Sequence, residues 1–187
     1  MPDISQCSTG RKIIMKSGSP EGSANSSYIS RSKLTGRMLY FKGVGEDIDT
    51  TINSRLPDWN GAHVIYIRLT VRKPLDEIER GLIKCPCNKI LHLYCSHELD
   101  GANAVGVYEV EGNSYKTKKV TWNTQPVIGN FIETIAPVLN TWSLIHTGTK
   151  GSVCLKFLDE SGWSGYYRFY SSNYSDKDFT PYITDEG

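Results

Sequence analysis

Cys85, Cys87, His92, Cys95 and His97 place five potential metal ligands within thirteen residues. A Cys-x-Cys pair can share a zinc ion. The residues between the ends of this set, Ile90 to Tyr94, nevertheless read as a strand, and an extended strand at roughly 3.3 Å per residue carries Cys85 and His97 about 40 Å apart. Packed or exposed strand residues are therefore expected there, and no zinc. Nucleophilic chemistry finds no frame either. His63, His92, His97 and His146 stand in four separate contexts, and the chain has no Gly-x-Ser-x-Gly elbow and no His-Glu-x-x-His helix. The carboxylate pairs Asp47/Asp49, Asp159/Glu160 and Asp176/Asp178 have the composition for acid-base work on glycosides, but each lies in a turn, where solvation or calcium binding is commoner. Asp47 and Asp49 can offer two oxygens to a structural calcium, the one cofactor the sequence leaves room for. The expectation is a protein that binds or builds rather than an enzyme.

Aromatic side chains are the remaining candidates. Buried rings fill a β core, whereas exposed rings stack on sugar faces. Trp59, in Pro57-Asp58-Trp59-Asn60-Gly61, and Trp163, in Gly162-Trp163-Ser164-Gly165, sit in turns where a large ring is hard to bury. With Asn60 and Tyr166 they form the expected carbohydrate-contact set. Thr121-Trp122-Asn123-Thr124-Gln125-Pro126-Val127-Ile128-Gly129 carries a different signal: a β-branched residue and a large ring on a strand, then a turn fixed by proline and glycine. Trp122, Asn123 and Pro126 are read as a structural motif that anchors a loop, with the Trp122 ring packed between two sheets.

The elements that must position these residues are short and extended. Met38 to Phe41, Val64 to Val71, Ile90 to Cys95, Val105 to Val110, Lys118 to Trp122, Phe131 to Ile135, Thr141 to His146, Ser152 to Leu158, Tyr166 to Tyr170 and Tyr182 to Thr184 all read as β. Alternation is clearest in Ile65/Ile67/Leu69/Val71. One or two helical turns are expected near Leu75–Arg80, after Pro74 and ended by Gly81. Strands at such regular spacing predict an all-β fold, an antiparallel two-sheet sandwich of jelly-roll type over residues 38–187. Residues 1–37, rich in Ser and Gly, predict an extended N-terminal arm that is flexible or ordered only by a partner, and Lys12 to Met15 could add a strand to a sheet edge.

A net charge of +1 over 187 residues, with Lys and Arg scattered along the chain, predicts no nucleic-acid partner. No stretch approaches the roughly 20 apolar residues of a membrane span, and the N-terminus lacks the order of a secretory signal, so neither membrane insertion nor classical secretion is expected. The five cysteines, odd in number and sparse, are expected to be reduced and buried.

Several motifs recur in a recognisable order. Asp49 to Gly61, with its Pro-x-x-Asn-Gly turn, is followed by Ile65-Tyr66-Ile67-Arg68-Leu69, Leu91-His92-Leu93-Tyr94, Val107-Tyr108-Glu109-Val110 and Thr121-Trp122-Asn123-Thr124-Gln125-Pro126. Phe169-Tyr170-Ser171-Ser172-Asn173 and Pro181-Tyr182-Ile183 close the series. Over residues 46–185 this order resembles the DNRLRE, or disaggregatase-related, domain. The resemblance implies a β-sandwich related to carbohydrate-binding modules of microbial cell surfaces, hence a non-catalytic module for attachment or adhesion with a glycan as partner. The arm points to a second reading, a structural component of a virion or similar assembly such as a minor capsid, decoration or fibre protein. Its partners would be neighbouring proteins held through residues 1–37. The expected location is accordingly an extracellular surface or a virion.

Overall fold

The computed structural model describes residues 19–20, 28–33, 36–41, 50–61, 64–99, 104–111, 114–162 and 164–185. Cys7, Lys12 to Met15, Asp47, Asp49, His63 and Trp163 lie outside them, and with them the calcium pair and one expected sugar contact. The described chain is all β. Its strands are β1 Ser19–Pro20, β2 Tyr28–Lys33, β3 Gly36–Phe41, β4 Thr50–Asn53, β5 Tyr66–Arg72, β6 Glu77–Lys84, β7 Lys89–Leu99, β8 Val105–Val110, β9 Ile128–Ile135, β10 Trp142–His146, β11 Ser152–Phe157, β12 Gly165–Tyr170 and β13 Tyr182–Asp185. They pair antiparallel in the order β1-β2-β3-β13-β7-β12-β5-β6-β11-β8-β9, with β10 added to β7 and β4 to β6. Among the described residues no helix is long and apolar enough to cross a membrane.

The curl of this sheet follows from alternation. Ile67, Leu69 and Val71 on β5, Leu91, Leu93 and Cys95 on β7, Val153, Leu155 and Phe157 on β11, and Tyr167 and Phe169 on β12 all turn to one side and meet in a single buried cluster. Alternate residues of the same strands, such as Tyr66 and Arg68, are left on the other face. A smaller cluster of Ile52, Leu82, Val110, Val120 and Cys154 forms separately.

Four expectations fail. Leu75 to Arg80 is not helical: a single 3-10 turn, Lys73–Leu75, ends at Asp76 in the left-handed region (φ 50°), and Glu77 onward is strand β6. Pro74 fits the start of that turn, but the chain is then turned straight back into a hairpin, with Thr70 opposite Glu79 and Arg72 opposite Glu77. Lys118 to Trp122 is not a strand but a turn and its exit, closed by Lys119 and Val120 amides donating to the Lys116 carbonyl at 2.9 Å. Trp122 is half-buried against the smaller cluster rather than seated in the main core, because the turn that carries it pairs with no strand. The expectation of reduced cysteines also fails at one position. Cys85, Cys95 and Cys154 are free and buried, whereas Cys87 is disulfide-bonded; an odd and sparse set of cysteines does not reveal which of them pair.

The β2–β3 hairpin straddles the expected boundary between arm and domain. Met38, Leu39 and Tyr40 pair with Thr184, Ile183 and Tyr182, so the hairpin extends the sheet from the edge of β13.

Candidate functional site

Strand β12 is the spine of the site. Tyr167 and Phe169 point into the core, which leaves Tyr166, Arg168 and Tyr170 on the opposite face. Register then lines up three cross-strand rows. Tyr166 stands opposite Thr70 and Leu99, Arg168 opposite Arg68 and His97, and Tyr170 opposite Tyr66. Three basic side chains in one row is unusual, since like charges directly opposite one another in a sheet destabilise it.

At the β5–β6 corner this face deepens into a pocket of about 310 Å³. Trp59 and Tyr166 contribute rings to its lining, Arg68, Arg72 and Arg168 cations, and Glu77 and Glu79 carboxylates, with Asn53 and Thr70 completing the polar surface. The Arg68 guanidinium lies 5.0 Å from the Trp59 ring centre and that of Arg168 4.7 Å from Tyr166, the spacing of cation–π contacts.

The acidic wall is rigid. Glu79 is only 6% exposed. It accepts from the Thr70 hydroxyl at 2.7 Å and the Asn53 amide at 3.2 Å, and pairs with Arg68 Nη2 at 3.2 Å. Glu77 accepts from Asn53 Nδ2 at 2.8 Å and pairs with Arg72 at 3.5 Å. The basic wall is less well satisfied. The Nε atoms of Arg68 and Arg168 are buried without a hydrogen-bond partner, and among the described residues no carboxylate pairs with Arg168. Beside them, burial and then the positive charge of Arg168 hold His97 below its ordinary pKa, which keeps the imidazole neutral more readily than in water.

The Trp59 turn is held from behind. Asn123 N donates to the Pro57 carbonyl at 3.0 Å and Asn123 Nδ2 to Asp58 at 3.4 Å. Gln125 Nε2 donates to the Trp122 carbonyl at 2.9 Å, while its oxygen accepts from Arg80 Nη1 at 3.0 Å. Arg80 in turn lies 4.5 Å from the Trp122 ring centre and forks onto Glu160 at 2.7 and 3.0 Å. Pro126 is half-buried just beyond this network. The Trp122–Pro126 motif thus braces the loop that carries Trp59.

Of the expected contact residues, Trp59 and Tyr166 are brought into one pocket. Asn60 does not line it; its amide donates to the Thr117 carbonyl at 3.2 Å. Thr117, with Lys84, Lys116, Lys118 and Lys119, lines a second concavity of about 310 Å³. Folding thus brings Lys84 beside the consecutive run Lys116 to Lys119. Arg68, Arg72, Arg168, Glu77 and Glu79 were missed. Alternation in β5 and β12 carries a signal for the first three, but reading Glu77–Arg80 as helix hid the pairing of the carboxylates with β5.

The other candidate chemistry is dispersed. Cys95 faces the core, His92 stacks on Tyr182 at 4.2 Å and hydrogen-bonds Thr184 at 2.9 Å, and His97 packs edge-on to Tyr66 at 5.1 Å. No group of three or more His, Cys, Asp or Glu residues placed to hold a metal occurs among the described residues. Asp159 accepts from Ser161 within its own turn, and Asp176 from the amide of Asp178. No protein-family model matches this chain, and no curated protein matches it significantly.

Proposed function

We propose that this protein is a non-catalytic carbohydrate-binding module, a two-sheet jelly-roll-like sandwich of the DNRLRE type, whose ligand face is the outer face of β5 and β12. The observation that carries this reading is the pocket in which Trp59 and Tyr166 rings stand beside arginine, glutamate and asparagine side chains. Sugars present apolar C–H faces rimmed by hydroxyls, so a site for them needs rings for the face and planar polar groups for the rim. The pocket has both, on strands except for Trp59, and the Trp122–Pro126 brace supports the loop that carries that ring.

A glycan array probed with the purified chain tests this reading. Retention of at least one glycan is expected, with binding lost in Trp59→Ala while the variant keeps its circular dichroism spectrum. An empty array, or binding that survives removal of both Trp59 and Tyr166, would refute it. The second reading, an assembly component tethered through residues 1–37, draws support from β2, whose residues 28–33 lie within that segment and add a strand beside β3. Deletion of residues 1–37 separates the two: sugar binding should survive it, whereas incorporation into an assembly should not.

A further inference from the structure

We propose that the Arg68–Arg168 pair is a subsite for a sulfate ester, so that the pocket selects sulfated glycans over neutral and uronate-bearing ones. The inference rests on the carbohydrate reading and adds a charge requirement to it.

Three observations converge. The two arginines are directly opposite in register on adjacent strands, an arrangement whose repulsion a bound anion relieves. Their Nε atoms are both buried and both unpartnered, and a buried donor left unmatched is costly unless something fills the gap. The charge count is also unbalanced: Glu79 pairs with Arg68 and Glu77 with Arg72, which leaves Arg168 as the uncompensated cation of the lining.

The form of the anion follows from the shape of guanidinium. A guanidinium carries edges of two parallel donors, and with both Nε atoms buried a ligand in the pocket meets the terminal Nη groups first. A carboxylate is planar and has one edge of two oxygens, so it satisfies one such fork and leaves the other open. A sulfate ester has three terminal oxygens and therefore three edges, enough for two forks that share one oxygen. Its single negative charge matches the single unpaired cation, which a phosphate monoester, closer to two charges at neutral pH, overshoots. Trp59 and Tyr166, each already stacked on one of these guanidiniums, would then hold the sugar ring that bears the ester.

The test uses the full chain with oligosaccharides of one backbone in native sulfated and chemically desulfated form, an oligogalacturonate, and a phosphorylated mannan. Desulfation should weaken binding by about tenfold or more, equivalent to one strong charge-assisted contact. Arg168→Lys, which keeps the charge but loses the fork, should bring the sulfated ligand down to the level of the desulfated one. Titration with methyl sulfate, a singly charged sulfate ester, read at the Arg68 and Arg168 Nε–H resonances, should shift both; acetate should shift at most one. Equal affinity for sulfated and desulfated chains overturns the proposal while leaving the carbohydrate reading intact. Uronate or phosphate bound as tightly as sulfate overturns the assignment of the anion. Nε–H resonances that respond to methyl sulfate in a chain that retains no glycan at all would keep the anion site and remove the sugar.

Discussion

Gly61 lies where the Trp59 turn rejoins the sheet, and substituting it tests the geometry of the candidate site. A Cβ added there would lie 2.6 Å from Trp59 Cη2 and 2.7 Å from the Thr51 carbonyl oxygen. The ring end can swing away, but the carbonyl cannot: β4 is fixed by its pairing with β6, and the same oxygen accepts the Gly61 amide at 2.7 Å. Gly61→Ala must therefore displace the ring and stretch that hydrogen bond. Overpacking and a weakened buried bond together cost about 2 to 4 kcal/mol, which for a chain of this size lowers Tm by roughly 5 to 15 °C. Gly162 supplies the control, since a Cβ there meets nothing within 4 Å, and Gly162→Ala should change stability by less than about 0.5 kcal/mol. Denaturant melts of both variants give the stabilities, and the Trp59 indole N–H resonance reports whether the ring has left Arg68. If the two variants melt together, or if the indole signal stays put in Gly61→Ala, the packing of Trp59 against the Gly61–Thr51 junction is wrong.

Trp122→Ala should cost about 2 kcal/mol, less than a fully buried tryptophan, because the ring is half-buried and its contact with Arg80 is the main loss; a loss of core size would return Trp122 to the main core. Burial alone pushes the Cys85 thiol to about 12, burial helped by Glu98 pushes Cys95 to about 11, and burial pushes Cys154 to about 12. Iodoacetamide should therefore label none of the three in the native protein and all three in denaturant, with Cys87 reacting only after reduction; mass spectrometry counts the adducts, and rapid native labelling would contradict the burial. The Thr149 amide and hydroxyl hold the Glu109 carboxyl below its ordinary value of 4.5. A depressed folded pKa contributes stability that is present above the ordinary value and lost as pH falls through the folded one. Wild type should therefore melt above Glu109→Gln at neutral pH, and the gap should close in acid; a constant gap would argue against the Thr149 contacts.

Strands with clear alternation were legible because burial of one face dictates it: Val105 to Val110 matches the structure residue for residue, and Ile67, Leu69 and Val71 face the core as their pattern requires. Glu77 to Lys84 was not legible, because Pro74 ahead of charged residues has the composition of a helix start, whereas the outcome was set by pairing with β5 and β11, which no local pattern contains. Trp122 shows the same limit from the other side. Its flanking β-branched residues suit a strand, but the segment closes turns on itself instead, with the Thr124 amide donating to the Thr121 carbonyl at 3.1 Å, and it became a brace. In the site, Trp59 and Tyr166 could be singled out by context, while Arg68 and Arg168 gain meaning only from a register that sets residues 100 positions apart face to face.

Strand β7 joins the whole sheet together, and its partners arrive late in the chain. Its first half pairs with β10 and β13 and its second half with β12. None of these exists when β7 leaves the ribosome; β12 follows by some seventy residues and β13 by about ninety. Loop closure over such distances is slow, and during it the edges of β7 are bare and open to the wrong strand. The last of its partners, residues 182–185, also receives the β2–β3 hairpin. Nascent chain stopped before Tyr182 therefore holds two sets of unfilled backbone donors and acceptors, one at β7 and one at β3. Such a fragment is a substrate for chaperones rather than a smaller version of the protein.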